Sequence, residues 1–475
     1  MKKGGKTIVM LDVTTKYGAV RGVESAGGYA LFKGIPYAKA PVGELRWKPS
    51  VAPEKWDGVR DCSAWGKACI QDIGFTDKED AYGKEFYAGA DYPPDMGEDC
   101  LYLNIWTPAK SAEDKLPVMM WMHGGGVQHG YSHEVEFDGD ALCDRGVILV
   151  SVNYRLNIFG YFAHPELSAE NEYHASGNYG VHDQVQVLRW IHENIACFGG
   201  DPECVTVFGQ SGGGRSAQAL SCSPLTKGLM KRAIVQSAGG LKTSMGRMPR
   251  EMLEMRGVEF MEFAGCKNIA ELRALDANTL HEYYRQFAMG GDSSVPLGKR
   301  RNFNIAADGH ALPLTMEDTV IAGKQHDIDY MIGCVTGDCK GPMFESQAGW
   351  AQLQCKQGKK PVYFYRFERE LPENEPKSPK TLKGAFHSSE LWYMFGTLDR
   401  CWRPMTQEDQ KLSVTMLDMW TNFAKTGDPN GAELPVWEKY DDAAPQYMRF
   451  DIGSCGMENA DPDGTLQAKI DALLK

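Results

Sequence analysis

Two glycine-rich segments and a histidine far along the chain have residue types and spacings that could do chemistry. The first runs Val205-Thr-Val-Phe-Gly209-Gln210-Ser211-Gly212-Gly213. It is an apolar, β-branched stretch leading straight into Gly-x-Ser-x-Gly. A serine on a sharp turn from strand to helix is held in a strained backbone conformation with its hydroxyl exposed. The residues two positions away on either side must lack side chains for the chain to turn that tightly. The helix that follows then aims the N-terminal amides of residues 212–219 at a reacting carbonyl. Ser211 is therefore expected to be a nucleophile for acyl transfer. The second segment, Met119-Met-Trp-Met-His123-Gly124-Gly125-Gly126, is again a strand that ends in glycines. Consecutive glycines let backbone N–H groups approach a developing oxyanion without side-chain obstruction. A phosphate cradle would need a Lys followed by Ser or Thr, which this segment lacks.

A serine nucleophile needs a base, and the base needs a carboxylate behind it. On a sheet of this kind the chain order is Ser, then Asp or Glu, then His. His281, His310, His326 and His387 follow Ser211. His387 sits in Gly384-Ala-Phe-His-Ser-Ser-Glu390, shortly after a late strand candidate, where a loop could carry it back over the sheet. The acid should follow the strand candidate 330–334, and two residues compete for that place. Asp338 lies close to the strand end, whereas Glu345 falls in a crossover helix. Asp338 is the expected acid and Glu345 the alternative. His129 and His133 are spaced i, i+4 but lie in a glycine-containing loop without a helical pattern, so they are not read as metal ligands. Cys334 and Cys339 are too isolated for a zinc or redox motif. Cys69 and Cys100 could pair as a disulfide if the compartment permits. Neither a cofactor nor a metal is expected.

These groups must be positioned by a framework, and the pattern supplies one. Short β-branched and aromatic runs bounded by turn residues predict strands at 29–32, 101–106, 118–122, 147–153, 205–208, 232–236, 330–334 and 362–367. Several are near-continuously apolar, as strands buried on both faces of a parallel sheet must be. Helical spacing fills the gaps. Val187, Leu188, Ile191 and Ile195 predict a helix over 183–196. Leu412, Met416, Met419 and Phe423 predict another over 408–425, closed by Gly427 with Pro429 beyond. Strands alternating with helices predict one open, mostly parallel α/β sheet, read as one domain over residues 1–475. Two stretches, 78–96 and 368–383, read as loops.

The totals exclude several classes. A formal net charge of −12 over 475 residues argues against a nucleic-acid partner. No apolar run approaches the roughly 18–20 residues a membrane span requires. Residues 7–11 are a short apolar stretch broken by Asp12 and lack a small-residue cleavage site. They are read as the first strand, not as a leader. Thirteen cysteines without C-x-x-C pairs suit a reducing cytoplasm.

With these residues in place, the chain resembles the type-B carboxylesterases, the group that includes bacterial para-nitrobenzyl esterases and cholinesterases. The matching segments are Gly34-Ile-Pro-Tyr-Ala-Lys-Ala-Pro-Val-Gly-Glu-Leu-Arg-Trp47, Glu98-Asp-Cys-Leu-Tyr-Leu-Asn-Ile105, His123-Gly-Gly-Gly126 and Gly177-Asn-Tyr-Gly-Val-His-Asp-Gln184. To these are added Phe198-Gly-Gly-Asp-Pro202, Gly209-Gln-Ser-Gly-Gly213, Phe386-His-Ser-Ser-Glu390 and Phe423-Ala-Lys-Thr-Gly-Asp-Pro-Asn-Gly431.

The resemblance implies an α/β-hydrolase fold and hydrolysis of a small-molecule ester, with Ser211 as nucleophile and His387 as base. It also implies Gly125, Gly126 and Gly212 as oxyanion donors, and a structural pair of Arg46 with Glu98. Three departures stand out. Gly212 replaces the usual alanine after the serine, which is expected to loosen the turn. Asp338 stands where the family has Glu. Acid and base are closer in sequence than usual, which implies a shortened lid with one crossover helix around 343–357. Two alternatives accompany this reading: a catalytically silent cholinesterase-like binding protein, and a feruloyl-type esterase or other acyl-transfer hydrolase.

Overall fold

The computed structural model describes residues 9–72, 81–87, 92–242, 248–290, 301–338, 342–373, 381–453 and 455–475. Its framework is an 11-stranded sheet. In chain order the strands are β1 (Val23–Glu24), β2 (Ala30–Pro36), β3 (Tyr102–Thr107), β4 (Leu116–Met122), β5 (Ile148–Val152) and β6 (Gly200–Gln210). They continue with β7 (Arg232–Gln236), β8 (Asp329–Val335), β9 (Tyr363–Phe367), β10 (Gln446–Phe450) and β11 (Gly456–Asn459). The spatial order is β11-β10-β9-β8-β7-β6-β4-β5-β3-β2-β1. The strands from β4 to β10 all run parallel to one another, and antiparallel pairings join only β5 to β3, β10 to β11 and the strands at the β1 edge. This is the α/β-hydrolase fold. Each of the eight strands expected between residues 29 and 367 is present, with ends displaced by a few residues at most except at β6, which starts five residues early.

The parallel strands are apolar throughout because both faces are covered. Side chains alternate across a strand, so each strand divides between two cores. Val118, Met120 and Met122 of β4 join the core on one side, and Met119 and Trp121 the other. Helix α1 (Tyr179–Asn194) lays Val181, Val185, Leu188 and Ile191 on the first face. Helix α4 (Gln407–Thr426) lays Leu412, Met416, Met419 and Phe423 on the second. Thr406 and Asp409 form a capping box at the start of α4, and Gly427, at φ +82°, ends it.

Three expectations need correction. Helix α1 begins at Tyr179 rather than near Asp183, after Asn178 in the left-handed region. Asp183 does not cap it. Its carboxylate instead takes the Nε and Nη2 hydrogens of buried Arg155 at 2.9 and 2.7 Å. The first strand is Asp12–Thr14, paired with residues 19–21, and not the apolar stretch before it. Val9, Met10 and Leu11 pack against the core without strand pairing, and residues 7 and 8 lie outside the described residues. Within the stretch read as a loop, Ala81–Phe86 forms a short helix. Buried Glu85 anchors it by accepting hydrogen bonds from Arg403, with Nε 3.0 and 3.1 Å from the two carboxylate oxygens.

Candidate active site

Strand β6 delivers Ser211 to the carboxyl end of the sheet, and helix α2 (Gly212–Cys222) leaves at once in a new direction. Ser211 sits at φ 56°, ψ −119°, a conformation a non-glycine residue holds only when its surroundings enforce it. Two backbone bonds do so: Ser211 N–H donates to Gln236 O at 2.9 Å, and Arg215 N–H donates to Ser211 O at 3.0 Å. The turn tolerates no side chains beside it. A Cβ on Gly209 would lie 2.4 Å from the carbonyl of Gly213.

Asp338 and His387 arrive on two loops joined by a bridge between Gly337 and Phe386, with Gly337 N–H donating to Ala385 O at 2.8 Å. The Asp338 carboxylate meets His387 Nδ1 through Oδ1, while Oδ2 accepts from Val335 N–H at 3.1 Å. Both side chains are largely buried. The Nδ1 contact leaves Nε2 as the lone-pair nitrogen, the form a proton acceptor requires. That nitrogen is 3.5 Å from Gln210 Nε2, and the Gln210 Oε1 accepts from Ser388 Oγ at 3.1 Å. No hydrogen bond joins Ser211 Oγ to the imidazole in this state, although both line one cavity. Glu345, the alternative acid, is in the first turn of helix α3 (Met343–Lys356). Its carboxylate faces Lys469 Nζ at 3.6 Å and is not in contact with His387.

The loop after β4 folds back over the start of α2. Gly125 and Gly126 hold φ of +87° and +62°, and the Gly125 carbonyl turns away to accept from Gln128 and His129 N–H. The amides of Gly125, Gly126 and Gly212 donate to no acceptor among the described residues. They edge the cavity that holds Ser211 and His387, which has a volume of about 320 Å³. Backbone N–H groups at a helix start and in a glycine turn, beside a hydroxyl and an imidazole backed by a carboxylate, can stabilise an oxyanion formed at Ser211.

The sequence model of the Carboxylesterase family matches residues 10–350 and 342–467. The chain belongs to this family. It is 33% identical to the para-nitrobenzyl esterase of Bacillus subtilis, over 96% of this chain and 98% of that one. It is 31% identical to the human protein named cocaine esterase, over 90% and 84%. Among solved structures, a PNB esterase superposes with a TM-score of 0.81 at 30% identity, covering 97% of this chain and 99% of the other. A Geobacillus stearothermophilus carboxylesterase gives 0.78 at 29% identity with the same coverage. The protein is accordingly a carboxylic ester hydrolase acting on small esters. Among the described residues no helix is long and apolar enough to cross a membrane.

Around this carboxylesterase's cavity stand residues that sequence reasoning did not single out. Tyr82, Phe86 and Tyr87 form an aromatic wall with Phe137 and Leu391. Glu134 and Glu136 line the same space, fully desolvated and side by side. Burial pushes Glu134 up to about 8 and Glu136 well above the usual carboxylate range. Glu390, one turn past His387, is also buried. Desolvation first, then the neighbouring charge of Asp338, push it up to about 8. Arg215 reaches the cavity from α2. Only Glu390 had any signal, since it closes a motif shared with the family.

The remaining residues marked in the sequence fall into place. His129 lines the cavity, while His133 stacks on Trp65 with ring centroids 4.8 Å apart, so the pair does not converge. Arg46 pairs with Glu98 in a buried two-pronged contact, Nε to Oε1 2.5 Å and Nη2 to Oε2 2.7 Å. Cys69 and Cys100 are both buried thiols, in contact with each other and not bonded as a disulfide. Cys334 is buried, and Cys339 lies outside the described residues.

Proposed function

We propose that this carboxylesterase cleaves its ester in two steps through an acyl-enzyme on Ser211. His387 Nε2 takes the Ser211 Oγ proton as Oγ bonds to the ester carbonyl carbon. The amides of Gly125, Gly126 and Gly212 hold the oxyanion. The carbon–oxygen bond to the alcohol then breaks, and the alcohol leaves with the proton from His387. Water repeats the cycle, releasing the acid. Asp338 holds the imidazole by Nδ1 and stabilises its charged form. The observation that carries this reading is the convergence on one cavity of a strained serine, an imidazole bound through Nδ1 to Asp338, and three amides that donate to no acceptor among the described residues.

The shorter Asp in place of Glu is accommodated because the Gly337–Phe386 bridge draws the two loops together. We read residues 1–475 as one catalytic domain, supported by the continuous sheet that carries every participating loop. A cytoplasmic location agrees with Cys69 and Cys100 lying in contact as thiols.

The test is Ser211→Ala. Hydrolysis of 4-nitrophenyl butyrate should fall by on the order of 10⁴–10⁶ in kcat, with an unchanged circular dichroism spectrum and no labelling by an organophosphonate. Activity within tenfold of wild type would remove Ser211 from the mechanism.

A further inference from the structure

Five arginines of the described residues are buried: Arg46, Arg155, Arg215, Arg232 and Arg403. Four of them have a carboxylate within ion-pair distance. Arg46 has Glu98, Arg155 has Asp183, Arg403 has Glu85, and Arg232 has Asp329 at 3.8 Å. Arg215, at 6% exposure, has none. Its Nη1 donates to the neutral Asn304 Oδ1 at 2.7 Å, and its Nε is buried without an acceptor. The carboxylate that acts on it most strongly, Glu317, lies beyond 4.0 Å and lines a small cleft together with Arg215. A guanidinium does not deprotonate in a protein. Leaving one desolvated and unpaired is unfavourable unless a negative group arrives to meet it.

Arg215 is also placed to meet such a group during turnover. It lines the cavity that holds Ser211 and stands one helical turn beyond that serine. Long side chains on a helix lean back toward its N-terminus, here toward Ser211. One turn is about 5.4 Å of rise, so Arg215 follows Ser211 closely along the helix, and both line the same cavity. Burial raises both Glu134 and Glu136 on the cavity wall, which disfavours their charged forms. Arg215 therefore brings a permanent positive charge to the cavity wall.

We propose that Arg215 anchors a carboxylate on the substrate, so that the preferred substrates are short esters carrying a free carboxylate about two to four carbons from the scissile bond. The guanidinium would take that carboxylate through its unpartnered N–H groups, in the fork geometry that favours carboxylates. This rests on Ser211 as the nucleophile, since Arg215 is placed by the cavity it shares with that serine.

The test compares kcat/KM on charged and neutral partners by proton release in a pH-stat. One arm sets monomethyl glutarate against dimethyl glutarate, with the carboxylate on the acyl side. The other sets 3-acetoxypropionate against its methyl ester, with the carboxylate on the alcohol side. The wild-type enzyme should favour the charged partner by at least about tenfold in one arm, which identifies the side. In Arg215→Met that charged-to-neutral ratio should fall on the order of 100-fold, with Arg215→Lys between the two. A wild-type ratio below one in both arms overturns the proposal, and so does a ratio that Arg215→Met leaves unchanged.

If Arg215→Met does not fold, inhibition of the wild-type enzyme decides. Glutarate should compete against 4-nitrophenyl butyrate at least about tenfold more tightly than glutaramide, and equal inhibition overturns the proposal. Ser211→Ala separates the two readings: charged-ester hydrolysis that survives it refutes the nucleophile, whereas a lost preference with Ser211 still essential refutes the anchor.

Discussion

Glu390 offers a quantitative check on the electrostatics of this site. Its side chain has no exposure, its Oε1 accepts from Ser237 Oγ at 3.4 Å, and its Oε2 has no hydrogen-bond partner among the described residues. Burial, and then the charge of Asp338, raise it from 4.5 to about 8. The native state therefore holds this proton more tightly than the unfolded chain does. Stability from that difference is complete below pH 4.5, declines as pH rises, and is gone above about pH 8. At about 1.36 kcal/mol per unit, a rise of 3.5 units sets a ceiling of about 5 kcal/mol on the loss. Local relaxation and water entry lower it, and about 2 kcal/mol is expected.

Glu390→Gln removes the ionisation and keeps the shape. Urea unfolding of wild type and variant at pH 5 and pH 9, followed by tryptophan fluorescence, isolates the effect as a double difference. Contributions from Glu134 and Glu136 are common to both proteins and cancel. The variant should gain about 2 kcal/mol or more over wild type on going from pH 5 to pH 9. A change under about 0.5 kcal/mol would show that Glu390 ionises as an ordinary carboxylate and that its burial has been misjudged.

Other substitutions probe the remaining parts. Gly212→Ala introduces a Cβ 2.7 Å from Gly126 N and 3.0 Å from Gly126 Cα. It should displace the amide loop and lower kcat on the order of 10²-fold, the scale of one lost oxyanion donor; a kcat within threefold of wild type would refute this. Asp338→Asn should lower kcat by several orders of magnitude with KM little changed, while Glu345→Gln, whose partner is Lys469, should cost less than threefold. A reversed pattern would move the acid to Glu345. Arg403→Ala leaves Glu85 buried without its partner, so it should cost about 3–5 kcal/mol in urea unfolding and raise KM by loosening the aromatic wall. Unchanged stability and KM would mean that Glu85 does not fix that helix.

What was legible in the sequence was what local pattern encodes. An apolar strand followed by Gly-x-Ser-x-Gly specifies its own turn, so β6, Ser211 and α2 could be placed without knowing the rest of the chain. Strands buried on both faces advertise themselves by continuous apolar runs. The misreadings concern residues whose roles are set by distant partners. Asp183 resembles a helix cap by position, but Arg155, 28 residues away, claims its carboxylate. The helix Ala81–Phe86 is too short to show periodicity, and its anchor, Arg403, is 318 residues from Glu85. Glu134, Glu136 and Arg215 read as ordinary charged residues. Only packing reveals that the two acids crowd each other away from water and that no acid reaches the arginine.

Gly212 and Arg215 belong to one arrangement. The expectation that glycine after the serine merely loosens the turn does not survive the packing around it. A Cβ at Gly212 would press on the backbone of Gly126, one at Gly213 would lie 1.9 Å from Met122 O, and one at Gly214 would lie 2.7 Å from Gln236 O. Helix α2 therefore packs so closely against β4, β7 and the amide loop that its first three positions admit no side chain. The first side chain after the nucleophile is that of Arg215. Close packing at the helix start brings three amides to Ser211 and makes the fourth residue the earliest that can reach the cavity. An apolar residue there would remove the one arginine that lines the cavity among the described residues. With Arg215 there, the proposed carboxylate anchor would add a charge to that wall and give a shared hydrolytic turn its own substrate preference.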